Sequence, residues 1–315
     1  HLQDFVVWAT GQVISPPGWS LVLFVLLVLP GCSKPDSPNQ VEDSPDSGRI
    51  TLVVAPELRV LMVKEVESFM ALYPKATIEL RTGRSREAVG ELFGGRADLI
   101  AVARDLEAEE RSVAVQGGIE LDGYRFARDG ICMIVNETSH IENLAVEEIR
   151  RIYRGEVVQW APLGGDGRVV PVVQPLDSDP ARAFVQQVLE EQSITTPSQT
   201  VADDSAAVAF VAHTAGAIAY VSLSAAGAKG VRVLKVAPVI GLPYRSPDAE
   251  SVYQGNYPLT RYCNLYVRTK GAPLAGGFVT YVTSRPGQIF VHESGLVPTA
   301  VPVRFVRRSP LISTH

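Results

Sequence analysis

Cysteine and histidine are scarce: the chain of 315 residues has three cysteines and five histidines. His140, His213 and His292 share no metal-ligand spacing, so they read as surface or helix residues and not as a metal centre. Basic residues are outnumbered, 29 Lys and Arg against 34 Asp and Glu, for a net charge of -5. That balance argues against a nucleic-acid partner and makes any anion site a local affair. No Ser/His/Asp arrangement is visible, and Gly164-Gly165-Asp166-Gly167 lacks the Lys-Ser/Thr of a phosphate-cradling loop. The chain therefore reads as a protein without enzymatic activity and without a cofactor. No internal repeat is present. No Lys or Arg precedes Lys34, where an export signal commonly carries them.

What is present begins with an apolar stretch, 19–30, followed by Gly31-Cys32. It is shorter than the roughly 20 residues a membrane helix needs, and reads as a signal h-region. Residues 1–31 are expected to be a signal peptide. Residues 33–48 are rich in Pro, Ser and Asp and cannot bury enough surface to fold, so 32–48 reads as a flexible tether. Over the whole chain, 46% hydrophobic and 20% charged residues fit a folded protein with a large core, of about two domains by length.

From residue 49 the pattern is strand, helix, strand, helix, strand. The strands are 49–54, 76–80 and 97–102, and the helices begin at Pro56 and after Ser85. This order predicts a mostly parallel sheet flanked by helices, with ligands at the carboxyl ends of the strands. Those ends carry Ala55-Pro56-Glu57, Gly83-Arg84-Ser85 and Ala103-Arg104. Further strands are expected at 130–136, 169–173, 215–221 and 261–269. Helices are expected at 143–155, 181–191, 206–213, 275–284 and 288–293, and a polar loop at 244–257. Trp160 reads as packing under a loop. Between the strand 169–173 and the helix 181–191 lies Gln174-Pro175-Leu176-Asp177-Ser178-Asp179-Pro180, a strand-to-helix junction of the kind that can hold an anion. Cys132 and Cys263 are either a disulfide of an oxidising compartment or two buried thiols.

With these segments in place, the chain resembles the phosphate-binding (PstS-type) substrate-binding lipoproteins of ABC transporters. The similarity runs from about Ile50 to Pro302. Gly95-Arg96-Ala97-Asp98 with Ala103-Arg104-Asp105-Leu106 is similar to the family's G-x-A-D-I-A and S-R-x-L. The segments 129–136, 143–160, 216–221, 257–261 and 284–298 are similar to further signatures, and Leu29-Pro30-Gly31-Cys32-Ser33 resembles a lipobox.

The resemblance implies a two-lobed α/β fold, the type 2 periplasmic-binding-protein fold, with mostly parallel sheets and two interlobe hinge strands. Lobe I would comprise 49–128 and 262–315, and lobe II 129–261. It also implies lipidation at Cys32, an extracytoplasmic location, monomeric behaviour, delivery to a permease, and phosphate or a related oxyanion between the lobes. Cys132 and Cys263 would fall on the two hinge strands, where a disulfide could staple them.

The ligand junctions depart from the family pattern. The first is Ala55-Pro56-Glu57 where a Ser/Thr run is usual. The second keeps Ser85 beside Arg84, and Arg104 survives although its Ser is Ala103. The third, Asp177-Ser178-Asp179-Pro180, keeps the Ser of G-S-G-T and loses the second Gly and the Thr. Asp179-Pro180 reads as a helix start that caps itself. Asp177, Asp179 and Glu57 would add negative charge to the pocket. Arg59, Arg84, Arg86, Arg104 and Arg182 either form an Arg-rich anion site or pair with the new acids. Two functions follow: an oxyanion receptor built on Ser85, Arg104, Ser178 and Arg182, or a fold that has lost phosphate and serves as an envelope sensor, scaffold or partner module.

Overall fold

The computed structural model describes residues 43–299, so the expected signal segment, the lipidation site Cys32, most of the tether and the basic tail lie outside the described residues. In chain order the first elements are β1 (Gly48–Val54), α1 (Arg59–Leu72), β2 (Ala76–Thr82), α2 (Ser85–Phe93), β3 (Leu99–Val102), α3 (Ala108–Gln116) and β4 (Leu121–Asn136). Next come β5 (Asn143–Ala145), α4 (Val146–Tyr153), β6 (Val170–Val173), α5 (Asp179–Gln187), β7 (Gln199–Thr200), α6 (Asp204–His213), β8 (Ala217–Ser222) and α7 (Leu223–Ala226). The last are β9 (Val231–Val233), β10 (Lys235–Ala237), α8 (Ala249–Gln254), β11 (Thr260–Arg268), α9 (Pro273–Thr283), α10 (Arg285–Glu293) and β12 (Val297–Pro298).

The predicted β-α-β-α-β start is present, with β1 between β2 and β3 and parallel to both. The main sheet runs β2-β1-β3-β11-β4-β8-β6-β7. Its two long central strands, β4 and β11, are antiparallel to each other. The first part of β4 pairs with β11, and from Ile131 onward it pairs with β8 and β9. One strand thus serves both ends of the sheet.

Apolar residues collect into separate cores at those ends. In the first, Leu61, Met62, Val66 and Phe69 of α1 meet β1 and α9, with the Phe69 and Phe278 rings edge to face at 5.3 Å. Steps of one, three and four along α1 put these side chains on one face. In the second, Phe184 of α5 stacks on Tyr220 at 4.2 Å and meets Tyr153 at 4.6 Å. Such aromatic pairs hold orientation as well as area, and here they fix the roll of α5. The Tyr220 hydroxyl accepts the Gln174 N–H at 3.0 Å, pinning the chain where β6 ends. Trp160 is buried under the loop at 164–167, its indole N–H donating to the Gly216 carbonyl at 3.0 Å.

Three expectations are corrected. The segment 244–257 contains α8, capped by Asp248, whose carboxylate accepts the Ser251 N–H at 2.7 Å, and ended by Gly255 at φ 74°. The helix expected at 143–155 begins as a strand, β5. Cys132 and Cys263 are free, buried thiols. Cys263 sits opposite Ala127 of β4, whereas Cys132 sits opposite Val221 of β8. Five steps of strand separate Ala127 from Cys132, roughly 16 Å at strand rise, and a disulfide needs Cα atoms closer than about 7 Å. Burial pushes both thiols well above their ordinary pKa, which leaves them inert.

Candidate functional site

Three loop-to-helix junctions and the end of β3 meet where the two cores face each other. A cleft of about 980 Å³ is lined there by Pro56, Glu57, Arg84, Ser85, Asp177, Ser178 and Asp179 among others. Arg104 and Arg182 border a different hollow of about 610 Å³, together with Glu107 and Arg261. Ala55 is fully buried. The sequence-predicted residues are therefore brought to one region but not onto one surface.

Asp179 stands at the centre. The helix cap is Ser178, whose hydroxyl accepts the Ala181 N–H at 3.4 Å. This corrects the expectation that Asp179 caps its own helix. Pro180 offers no N–H, and the Asp179 carboxylate is turned away from α5 altogether. It is 3% exposed. Its Oδ2 accepts the Ser85 hydroxyl at 2.5 Å and the Ala103 N–H at 2.9 Å. Its Oδ1 lies 3.4 Å from Arg104 Nε. Ser85 is the first residue of α2 and Ala103 follows the last residue of β3, so the donors come from the first core's elements and the carboxylate from the second's.

Among the described residues, each arginine put forward as an anion ligand already faces an acid, except Arg59, which is exposed. Arg104 grips Glu110 with two hydrogen bonds of 2.7 Å. Burial works against both charges, but their mutual hydrogen bonds win: the Glu110 carboxyl is held below its usual range and the Arg104 guanidinium above its own. Arg84 pairs with Asp177 at 3.0 Å, Arg182 with Glu107 at 2.8 Å and Arg86 with Glu109 at 3.5 Å. Arg84–Asp177 and Arg182–Glu107 flank Asp179 and cross between the same two groups of elements. Such exposed pairs contribute about 0–1 kcal/mol each, so the buried carboxylate dominates the junction.

Beneath it lies a charged cluster that sequence reasoning did not resolve. The Arg261 guanidinium donates to Asp129 at 2.8 and 3.0 Å and to the Ser222 hydroxyl at 3.0 Å. Asp129 also accepts the Leu223 N–H at 2.9 Å. Burial would lower the Arg261 pKa, yet Asp129 and Glu57 raise it. Glu57 lies 3.6 Å from Arg261. Burial, reinforced by the Asp179 charge and opposed by Arg261, pushes the Glu57 carboxyl up to about 8. At neutral pH it is therefore largely a neutral acid, able to donate a hydrogen bond to an anion. The expected excess of three negative charges reduces to one buried carboxylate, since Asp177 is exposed and paired. Arg261 and Asp129 both lay in segments marked by the resemblance. Ala103 acts through its backbone N–H, which its side-chain identity does not reveal. Among the described residues no His/Cys/Asp/Glu group is arranged to hold a metal ion.

Comparison with known proteins gives a consistent family. The model of a family described as a PBP superfamily domain matches residues 39–286. The chain is 27% identical over 259 residues to the phosphate-binding protein PstS of Bacillus subtilis (strain 168), covering 80% of this chain and 81% of that protein. Its fold is similar to that of a putative phosphate ABC transporter substrate-binding protein with bound phosphate from Clostridium perfringens. There the TM-score is 0.69 at 24% identity, over 80% of this chain and 99% of the other. An ABC-type phosphate transport receptor from Vibrio cholerae gives a TM-score of 0.67 at 20% identity, over 79% and 99%.

Proposed function

The chain belongs to the PBP superfamily, and from that premise we propose that it is an extracytoplasmic solute-binding protein of the PstS type. It takes phosphate or a related oxyanion between two lobes that close about β4 and β11, and presents it to an ABC permease. The expected lipidation of Cys32 would keep it at the membrane, as a monomer. One observation carries the reading: the Ser85 hydroxyl, the Ala103 N–H and the Arg104 guanidinium converge on a single carboxylate. Donors that hold one buried anion are suited to hold another.

That the anion in place belongs to the chain itself favours a second reading. In it the fold no longer takes up free phosphate and serves as an envelope sensor, scaffold or partner-binding module.

The two separate in a calorimetric titration of phosphate into protein unfolded and refolded to strip carried-over ligand. The receptor reading predicts one phosphate per chain, with affinity reduced roughly 100-fold by Arg104→Ala, as for loss of a charged hydrogen bond and its buried charge. Ser85→Ala should weaken binding in the same direction. No saturable binding by the natural chain or by Asp179→Gly would leave the second reading.

A further inference from the structure

We propose that Asp179 is a tethered ligand: its carboxylate occupies the oxyanion position of the closed protein, and free anion binds only by displacing it. This rests on the anion-site reading above and adds a self-competing state to it.

The placement supports the assignment at three levels. In sequence, Asp179 stands between Ser178, which caps α5, and Pro180, which has no N–H for a cap to take. In geometry, one oxygen takes two donors and the other faces Arg104, and these donors lie 94 and 76 positions away in the chain for Ser85 and Ala103. Nothing local to α5 requires that contact, because Ser178 already supplies the cap. In packing, Phe184 on the same helix is locked between Tyr153 and Tyr220, so the carboxylate is delivered on a rigid arm.

A rigidly delivered group competes at an effective concentration far above that of any free solute. The natural chain therefore binds free anion weakly, in proportion to the fraction of molecules in which Asp179 has left. Once displaced, Asp179 remains a like charge near the incoming anion, which weakens binding further. The Arg104 Nε contact of 3.4 Å is long for a hydrogen bond. A tetrahedral oxyanion has a further oxygen with which to improve it.

The test is the affinity for inorganic phosphate of the natural chain and of Asp179→Gly, with amide exchange at Ala103 as an independent readout. Asp179→Gly is expected to bind phosphate about 100-fold more tightly or better. Without phosphate, its Ala103 N–H is expected to exchange at least about tenfold faster, having lost its acceptor, and phosphate should restore protection. Asp179→Asn, which keeps the shape and drops the charge, should shift affinity in the same direction and guards against a folding defect in the glycine variant. Equal phosphate affinity in all three proteins, tight or moderate, overturns the tethered ligand while leaving the receptor reading intact. Faster exchange without phosphate binding in any variant overturns the tethered ligand together with the receptor reading, since it leaves Asp179 only a structural hydrogen bond to Ala103. Unchanged exchange in Asp179→Gly overturns the tether whatever the affinity.

Discussion

Asp129→Ala is expected to destabilise the protein by about 3–5 kcal/mol, the usual cost of leaving one partner of a buried ion pair uncompensated. Asp129 and Arg261 are both nearly inaccessible, with side chains 2% and 4% exposed. Removing the carboxylate strips two hydrogen bonds from the guanidinium and the acceptor from the Leu223 N–H. Ser222 remains, and Glu57 is the nearest acid, at 3.6 Å from Arg261. With the Asp129 charge gone, Arg261 should draw the Glu57 pKa down from its raised value, so that Glu57 ionises at a lower pH than in the natural protein and recovers part of the loss. For a domain of this size, the change corresponds to a drop in Tm of roughly 10 °C. The double variant Asp129→Leu with Arg261→Met removes both charges and should be more stable than Asp129→Ala. A single-variant loss below about 1 kcal/mol by urea titration would mean that the pair does not hold the junction of β4, β8 and β11 together.

Glu65→Met is expected to stabilise the protein, by roughly 4 kcal/mol at pH 8 and by about 1 kcal/mol at pH 5. Glu65 lies on the buried face of α1, 0% exposed, and among the described residues neither carboxyl oxygen has a hydrogen-bond partner. Burial pushes its pKa from 4.5 up to about 8. The folded state therefore retains a proton that the unfolded chain has lost between those values. Stability is highest below about pH 4.5 with respect to this group and falls as pH rises toward 8, by about 1.4 kcal/mol per pH unit. Glu57 adds a slope of the same sign over the same window, since its pKa is also raised to about 8. Methionine keeps the length and helix propensity of the side chain without the titration. Urea midpoints at pH 5, 6.5 and 8 should diverge between the two proteins. Parallel profiles would show that Glu65 reaches a partner and stays charged.

The legible part of the fold was the part written in local pattern. Leu61, Met62, Val66 and Phe69 announce a helix by their spacing, and the runs at β1, β3 and β8 announce buried strands. The junction at 174–180 was visible because a β-rich run, two aspartates, Ser178 and Pro180 stand in order. Which of those side chains caps the helix was not, because Ser and Asp are about equally good caps. Only the distant Ser85 and Ala103 make the other use of Asp179 available. The Arg182 pairing was hidden for the same reason, since Glu107 reaches it from 75 positions away, whereas Glu110 stands only six positions beyond Arg104. The cysteine expectation failed on register. The strands carrying Cys132 and Cys263 do lie side by side, but the pairing of β4 with β11 is offset and shifts between Cys263 and Asn264, which no sequence pattern specifies.

The most direct test of a closed, self-liganded protein is a distance across the cleft in the absence of any anion. Spin labels at Lys64→Cys in α1 and Lys229→Cys beyond α7, both exposed positions, report on the two groups of elements that Asp179 joins. A single narrow distance distribution is predicted for the otherwise natural chain without ligand, unchanged by phosphate at low concentration and broadened to longer distances by Asp179→Gly. A ligand-free chain that is already broad and long, and that narrows only when phosphate is added, would contradict it.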